Sequence, residues 1–215
     1  MTLRALVMIV ALVLGWSIPA LAGPAFVNGI TVPADTLDLP GDPIALNQRA
    51  GLHLCKGELD AAEQELAKVQ DTLKDKSLDQ PLFSLNTGRA VLSIAPEVLS
   101  GEIAAARKNY DAAIAHLERA VRLEDALVYT EPAEWHYPPR HALGAVLLEA
   151  KRPGEAETVY WEDLKRNREN GWALFGLIQA LKAQGKNDDA ALVEARFKKA
   201  WARADVTLTA SRFGP

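Results

Sequence analysis

Five residues constrain this chain more than any others: Gly101, Tyr110, Ala113, Leu117 and Ala120. On two amphipathic helices joined by a short turn, they place small side chains where helix backbones must touch and large ones where they clasp. The arrangement returns. Gly144, Ala156 and Tyr160 carry it next, and Leu177, Gly185 and Ala190 carry it last. An earlier stretch with Leu46, Ala50, Gly57, Ala62 and Leu66 fits more loosely, and Arg49 stands there at an apolar position. A single helix pair cannot bury its apolar stripe, whereas stacked pairs join their stripes into one core. The expected fold is all-α, a short right-handed α-solenoid of about four antiparallel helix pairs.

Proline and glycine punctuate the pairs. Lys56-Gly57 breaks the first, and the polar stretch Asp75 to Gln80 with Pro81 ends it. Pro96 lies inside the next helical run and either kinks that helix or begins it afresh near Ala95, with Arg89 to Ile94 then a separate turn. Pro139 and Pro153 suit first helical positions, where a missing donor costs nothing. Gly185 suits a left-handed cap. Tyr129 to Pro139, "YTEPAEWHYPP", interrupts the array, because its prolines forbid a continuous helix. The helical repeat therefore spans 44–204, after a leader at 23–43 and before a polar tail at 205–215 whose "VTLT" is strand-like. The leader is expected to be extended or disordered, since a single short strand carrying Phe26, Val27, Ile30 and Val32 is not stable alone.

These residues resemble the tetratricopeptide repeat, a unit of about 34 residues and two antiparallel helices. Ala50, Gly101, Gly144 and Ile178 fall where that family places a small residue in the first helix; their spacings are 51, 43 and 34 residues. The extra residues fall in the polar stretch before Gly88 and in the proline-aromatic loop. Asp125 and Arg168 replace the family's usual proline, Asp163 replaces a small residue, and Ile178 is larger than usual. Phe26 to Leu39, "FVNGITVPADTLDL", is similar to the opening of secreted bacterial esterase-like proteins of the phytase group. No catalytic residue carries over from so short a stretch.

Met1 to Ala22 reads as a signal peptide: Arg4, an apolar run from Ala5 to Trp16, then Ala20-Leu21-Ala22 before a cut at Gly23. The rival is an uncleaved anchor, which Pro19 disfavours. Export to the bacterial periplasm or beyond is expected, with no stable membrane span after cleavage. Cleavage leaves 23 basic residues against 28 acidic ones, a balance without the footprint of a nucleic-acid binder. Cys55 is the only cysteine, so no internal disulfide forms; it reads as a small apolar filler.

Motifs for chemistry are missing: no phosphate loop, no dinucleotide fingerprint, no nucleophile elbow and no HExxH helix occur. His136 and His141 beside Glu131 and Glu134 straddle two prolines and do not share a helical face, which argues against a metal. His53 and His116 lack obvious partners. The reading is a non-enzymatic scaffold, without cofactor or metal, that binds a protein or peptide. The alternative is an accessory subunit stabilising a larger exported enzyme. Arg49, Glu97, Arg140 and Gln179 are assigned to the concave face by position. Trp135 and Tyr137 either plug the gap beside the loop or stack a ligand, and the plug is favoured. Trp161 and Trp172 are expected in the core, with Trp201 of the last helix sealing the end of the stack.

Overall fold

The computed structural model describes residues 25–27, 30–32, 43–81, 85–135 and 137–212. Residues 1–22, expected as a signal peptide, and most of the expected leader at 23–43 lie outside them. The described part of the leader is an antiparallel hairpin, β1 (Ala25–Val27) on β2 (Ile30–Val32), with Val27 opposite Ile30. The two residues between the strands are Asn-Gly, the sequence most suited to a two-residue hairpin connection.

Nine helices follow among the described residues: α1 (Pro43–Cys55), α2 (Leu59–Thr72), α3 (Gly88–Leu92), α4 (Ile94–Ala106), α5 (Tyr110–Asp125), α6 (Pro139–Glu149), α7 (Pro153–Arg166), α8 (Gly171–Ala183) and α9 (Asn187–Ala200). They form four antiparallel pairs: α1 with α2, α4 with α5, α6 with α7, and α8 with α9. This is the all-α helical repeat that the small-and-large pattern implies. The short α3 is the separate turn expected before Pro96, which then sits in the first turn of α4.

The same turn closes every pair. Gly57, Lys108, Lys151 and Gly185 each adopt a left-handed backbone, with φ of 73°, 60°, 61° and 74°. The next amide in each case reaches back five residues: Glu58 to His53, Asn109 to Ala104, Arg152 to Leu147 and Lys186 to Leu181, at 2.8–3.0 Å. These bonds satisfy carbonyls that a helix end leaves without partners. Starts are equally local. Asn109 caps α5 and Asn170 caps α8 through their side chains, while Pro139 and Pro153 open α6 and α7.

Stacking follows one rule. First helices line up side by side, α1 on α4, α4 on α6 and α6 on α8, while second helices α2, α5 and α7 each pack onto the first helix of the next pair. The row of first helices is thus the inner face of the array. From α4 to α9 the core is one cluster, including Leu117, Val146, Tyr160, Leu174, Leu177 and Leu181. Two smaller clusters serve the front, one around Ala50, Val69, Ala95 and Leu99, the other around Ile94, Val98 and Ala120.

Tyr160 of α7 is fully buried and forms the key wedge. A Cβ added at Gly144 or at Gly176 would lie 2.3 or 2.2 Å from its ring. The ring therefore passes between α6 and α8 through a gap that two glycines keep open. Gly176, two residues before the large Ile178, provides the close approach that Ile178 cannot.

Candidate binding groove

The inner face is occupied by the chain itself. Trp201 stacks on Phe197 at 5.8 Å and meets Trp172 edge-on at 6.1 Å. Its ring lies against Gly171, and its indole N–H donates to the Val206 carbonyl at 2.8 Å. Beyond it the chain turns back as an irregular segment, without the strand suggested by "VTLT". Leu208, Ser211 and Arg212 are buried, while Val206, Thr207 and Thr209 stay exposed.

Ser211 and Arg212 are held by the repeats. The Ser211 hydroxyl donates to the His141 carbonyl at 3.1 Å and shares a 2.5 Å hydrogen bond with the Tyr160 hydroxyl. Burial pushes the Tyr160 phenol far above its ordinary range. Arg212 forks: Nη1 donates to Glu102 of α4, and Nη2 donates to Glu149 of α6 at 2.8 Å. The Arg212 side chain is 7% exposed and that of Glu102 13%. Burial raises the Glu102 carboxyl despite the opposing pull of Arg212. The pocket reaches the first pair as well: the Cys55 thiol is raised by burial and then by the Glu102 charge, with Arg212 offsetting part of it.

A buried polar pair lies behind this wall. His141 Nε2 and Asp163 Oδ2 are 3.0 Å apart with both side chains almost fully enclosed, and Asn167 donates to the other Asp163 oxygen at 3.0 Å. Asp163, which departs from the repeat pattern, thus has a fixed partner on its own pair's first helix. Asp125, a second departure, accepts from Arg140 at 2.8 and 2.6 Å and lies 2.8 Å from Arg166.

Three of the four residues assigned to the concave face by position bond within the protein. Arg49 donates to Glu65 of the paired helix at 3.1 Å. Glu97 turns toward its own partner helix, 2.7 Å from His116 and accepting from Arg119 at 3.0 Å. Arg140 is buried, forked onto Asp125 and 3.3 Å from Glu124. Gln179 is exposed on α8. Trp135 packs against both front clusters, and Tyr137 packs against the main cluster, edge-on to His141 at 5.7 Å. Trp161, expected in the core, is 39% exposed on the outer face with Arg196 over its ring at 5.7 Å. His53 and His116 do have partners, Glu58 at 2.6 Å and Glu97. His136 lies outside the described residues.

Glu102, Glu149 and Ser211-Arg212 were not legible as a site. A glutamate one residue past a contact glycine is ordinary on a helix, and Ser-Arg in a polar tail has no period to announce it. Among the described residues no helix is long and apolar enough to cross a membrane.

No protein-family model and no curated protein matches the chain. A solved structure with a similar course is the crystal structure of MamA protein, with a TM-score of 0.43 and 16% identity over 80% of this chain and 100% of that one. At that level the likeness carries no further argument, and the class rests on the helices themselves: a short tetratricopeptide-like helical repeat with a filled inner groove.

Proposed function

We propose that this protein is an exported scaffold that binds a segment of a partner protein along the inner face of its helical repeat. The observation that supports it is the tail. A non-helical stretch of chain lies in the groove, anchored by a fork to two carboxylates on two different repeats. A surface that holds one such segment has the depth, charge and hydrogen-bonding groups to hold another. Repeat arrays present extended concave faces suited to this task. Export is supported by the Arg4, apolar run and Ala20-Leu21-Ala22 pattern.

Affinity capture from the native envelope tests the reading. Wild type is expected to retain a partner that Glu102→Lys loses and that Arg196→Glu, on the outer face, keeps. Equal retention by all three proteins would remove the groove from the account. Mass spectrometry of the mature pool is expected to begin at Gly23; an intact Met1 would replace export of a free protein with an anchored one.

A further inference from the structure

We propose that the Glu102–Glu149 pocket receives an arginine preceded by a small hydroxyl residue, carried on a non-helical segment of a partner protein, and that Ser211-Arg212 occupies it until such a segment arrives. This rests on the scaffold reading and names what the scaffold selects.

Two carboxylates face one guanidinium. Glu102 is nearly enclosed, so an occupant without a donor at this place would leave its buried carboxyl oxygen without the partner that Arg212 supplies. The acceptors also stand on separate helices, α4 and α6. A planar guanidinium serves both with two separate nitrogens, whereas an ammonium offers a single point of charge. Beside it, the hydroxyl seat is narrow. Its floor is the Tyr160 ring, which cannot retreat because Gly144 and Gly176 already close on it from either side. Its rim is the His141 carbonyl, which asks for a donor.

The tail does not merely seal the end of the array. Sealing is completed by α9 and by Trp201 over Gly171 and Trp172. Ser211 and Arg212 lie farther back, against the second and third pairs. Their neighbours Val206, Thr207 and Thr209 are exposed, so among the described tail residues Leu208, Ser211 and Arg212 are the buried ones that must leave for the segment to be exchanged. A site filled by its own chain weakens binding in trans in inverse proportion to the fraction of time it stands open.

A fluorescein-labelled synthetic peptide of the sequence Thr207 to Phe213 is the probe, read by anisotropy against the full chain. The Arg212→Glu protein, whose own tail the carboxylates repel, is expected to bind it at least tenfold tighter than wild type. Replacing the peptide's arginine with lysine is expected to cost about tenfold, and with alanine to abolish binding. Adding Glu102→Gln and Glu149→Gln to Arg212→Glu is expected to abolish it too. Binding that ignores the peptide's arginine would overturn the arginine receptor and leave the scaffold standing. Failure of every peptide on a helical Arg212→Glu protein would overturn both. Should that variant not fold, hydrogen exchange on wild type decides: excess unlabelled peptide is expected to speed exchange at Thr209 to Arg212, and unchanged exchange at saturation would overturn the proposal.

Discussion

Two segments that are not repeats fill gaps in this molecule, and they do so by opposite chemistry. The loop between α5 and α6 plugs the front with an indole, Trp135, lying against two apolar clusters. Its base is tied by Asn86, which donates to the Val128 carbonyl and accepts from the Val128 amide, each at 2.8 Å, and which also donates to Glu134. The tail fills the inner face with a serine and an arginine held by hydroxyl and carboxylate groups. Apolar burial has no partner to exchange, because leaving it means exposing hydrocarbon to water. An ionic anchor can be replaced by any group of the same charge and shape. The loop is thus built as structure, and the tail as an occupant.

The sharpest way to break this comparison is Trp135→Ala. Removing the indole opens the seam between the first two pairs, and a loss of roughly 3 kcal/mol is expected, the low end of large-to-small costs because part of the ring is exposed. Thermal or urea unfolding measures it. Unchanged stability would make Trp135 a surface platform and erase the contrast with the tail.

On the tail side, Gly176→Ala tests the wedge. The added methyl would sit 2.2 Å from the Tyr160 ring, which has no room to move toward Gly144. Overpacking of this kind costs roughly 2 kcal/mol. The second variant Tyr160→Leu is expected to tolerate Gly176→Ala far better than wild type does. Equal penalties in both backgrounds would show that the glycine serves something other than the ring.

Much of this architecture was readable from residue size and spacing. Gly101 and Leu117, Gly144 and Tyr160 are pairs whose sizes only make sense in contact, and an added Cβ at Gly101 would indeed lie 2.6 Å from Leu117. Pro139 and Pro153 marked helix starts by covalent geometry alone. What stayed hidden depends on tertiary partners. Lys108 and Lys151 take the left-handed turn that Gly57 and Gly185 announce, and a lysine gives no sign of it. Arg140 has the position of a groove residue, yet two acids at the end of α5 draw it inward. The Glu102–Arg212 contact joins residues 110 apart, beyond any local pattern.

The seam at Arg140, where the loop rejoins the array, is sensitive to pH. Burial lifts the Glu124 carboxyl to about 7, with Asp163 and Asp125 adding to the rise and Arg140 and Arg166 opposing it. A raised carboxyl binds its proton more tightly folded than unfolded. Its contribution to stability is complete below its ordinary value of 4.5 and is lost as pH climbs through about 7. Glu124→Gln, which stays neutral, is expected to match wild type at pH 4 and to exceed it by roughly 1–2 kcal/mol at pH 8. Denaturant melts at the two pH values decide, and a variant weaker at pH 8 would mean that the Arg140 attraction outweighs burial.

The smallest effect belongs to Arg212→Ala. Truncating one partner of a buried ion pair is ordinarily severe, because the other charge is left without solvent. Here the severity has a ceiling. The segment that covers Glu102 is the one that carries Arg212, so once the arginine is gone the tail can lift and water can reach the carboxylate. The cost cannot exceed the free energy that holds the tail in place, and among the described residues that rests on the fork, one buried leucine and the serine bonds. A loss of roughly 1 kcal/mol is expected in global unfolding, together with much faster amide exchange confined to Thr209 to Arg212. A loss as large as that of Trp135→Ala would mean that the tail folds as part of the core. The groove would then be closed for good, and the loop and the tail would be two plugs of one kind.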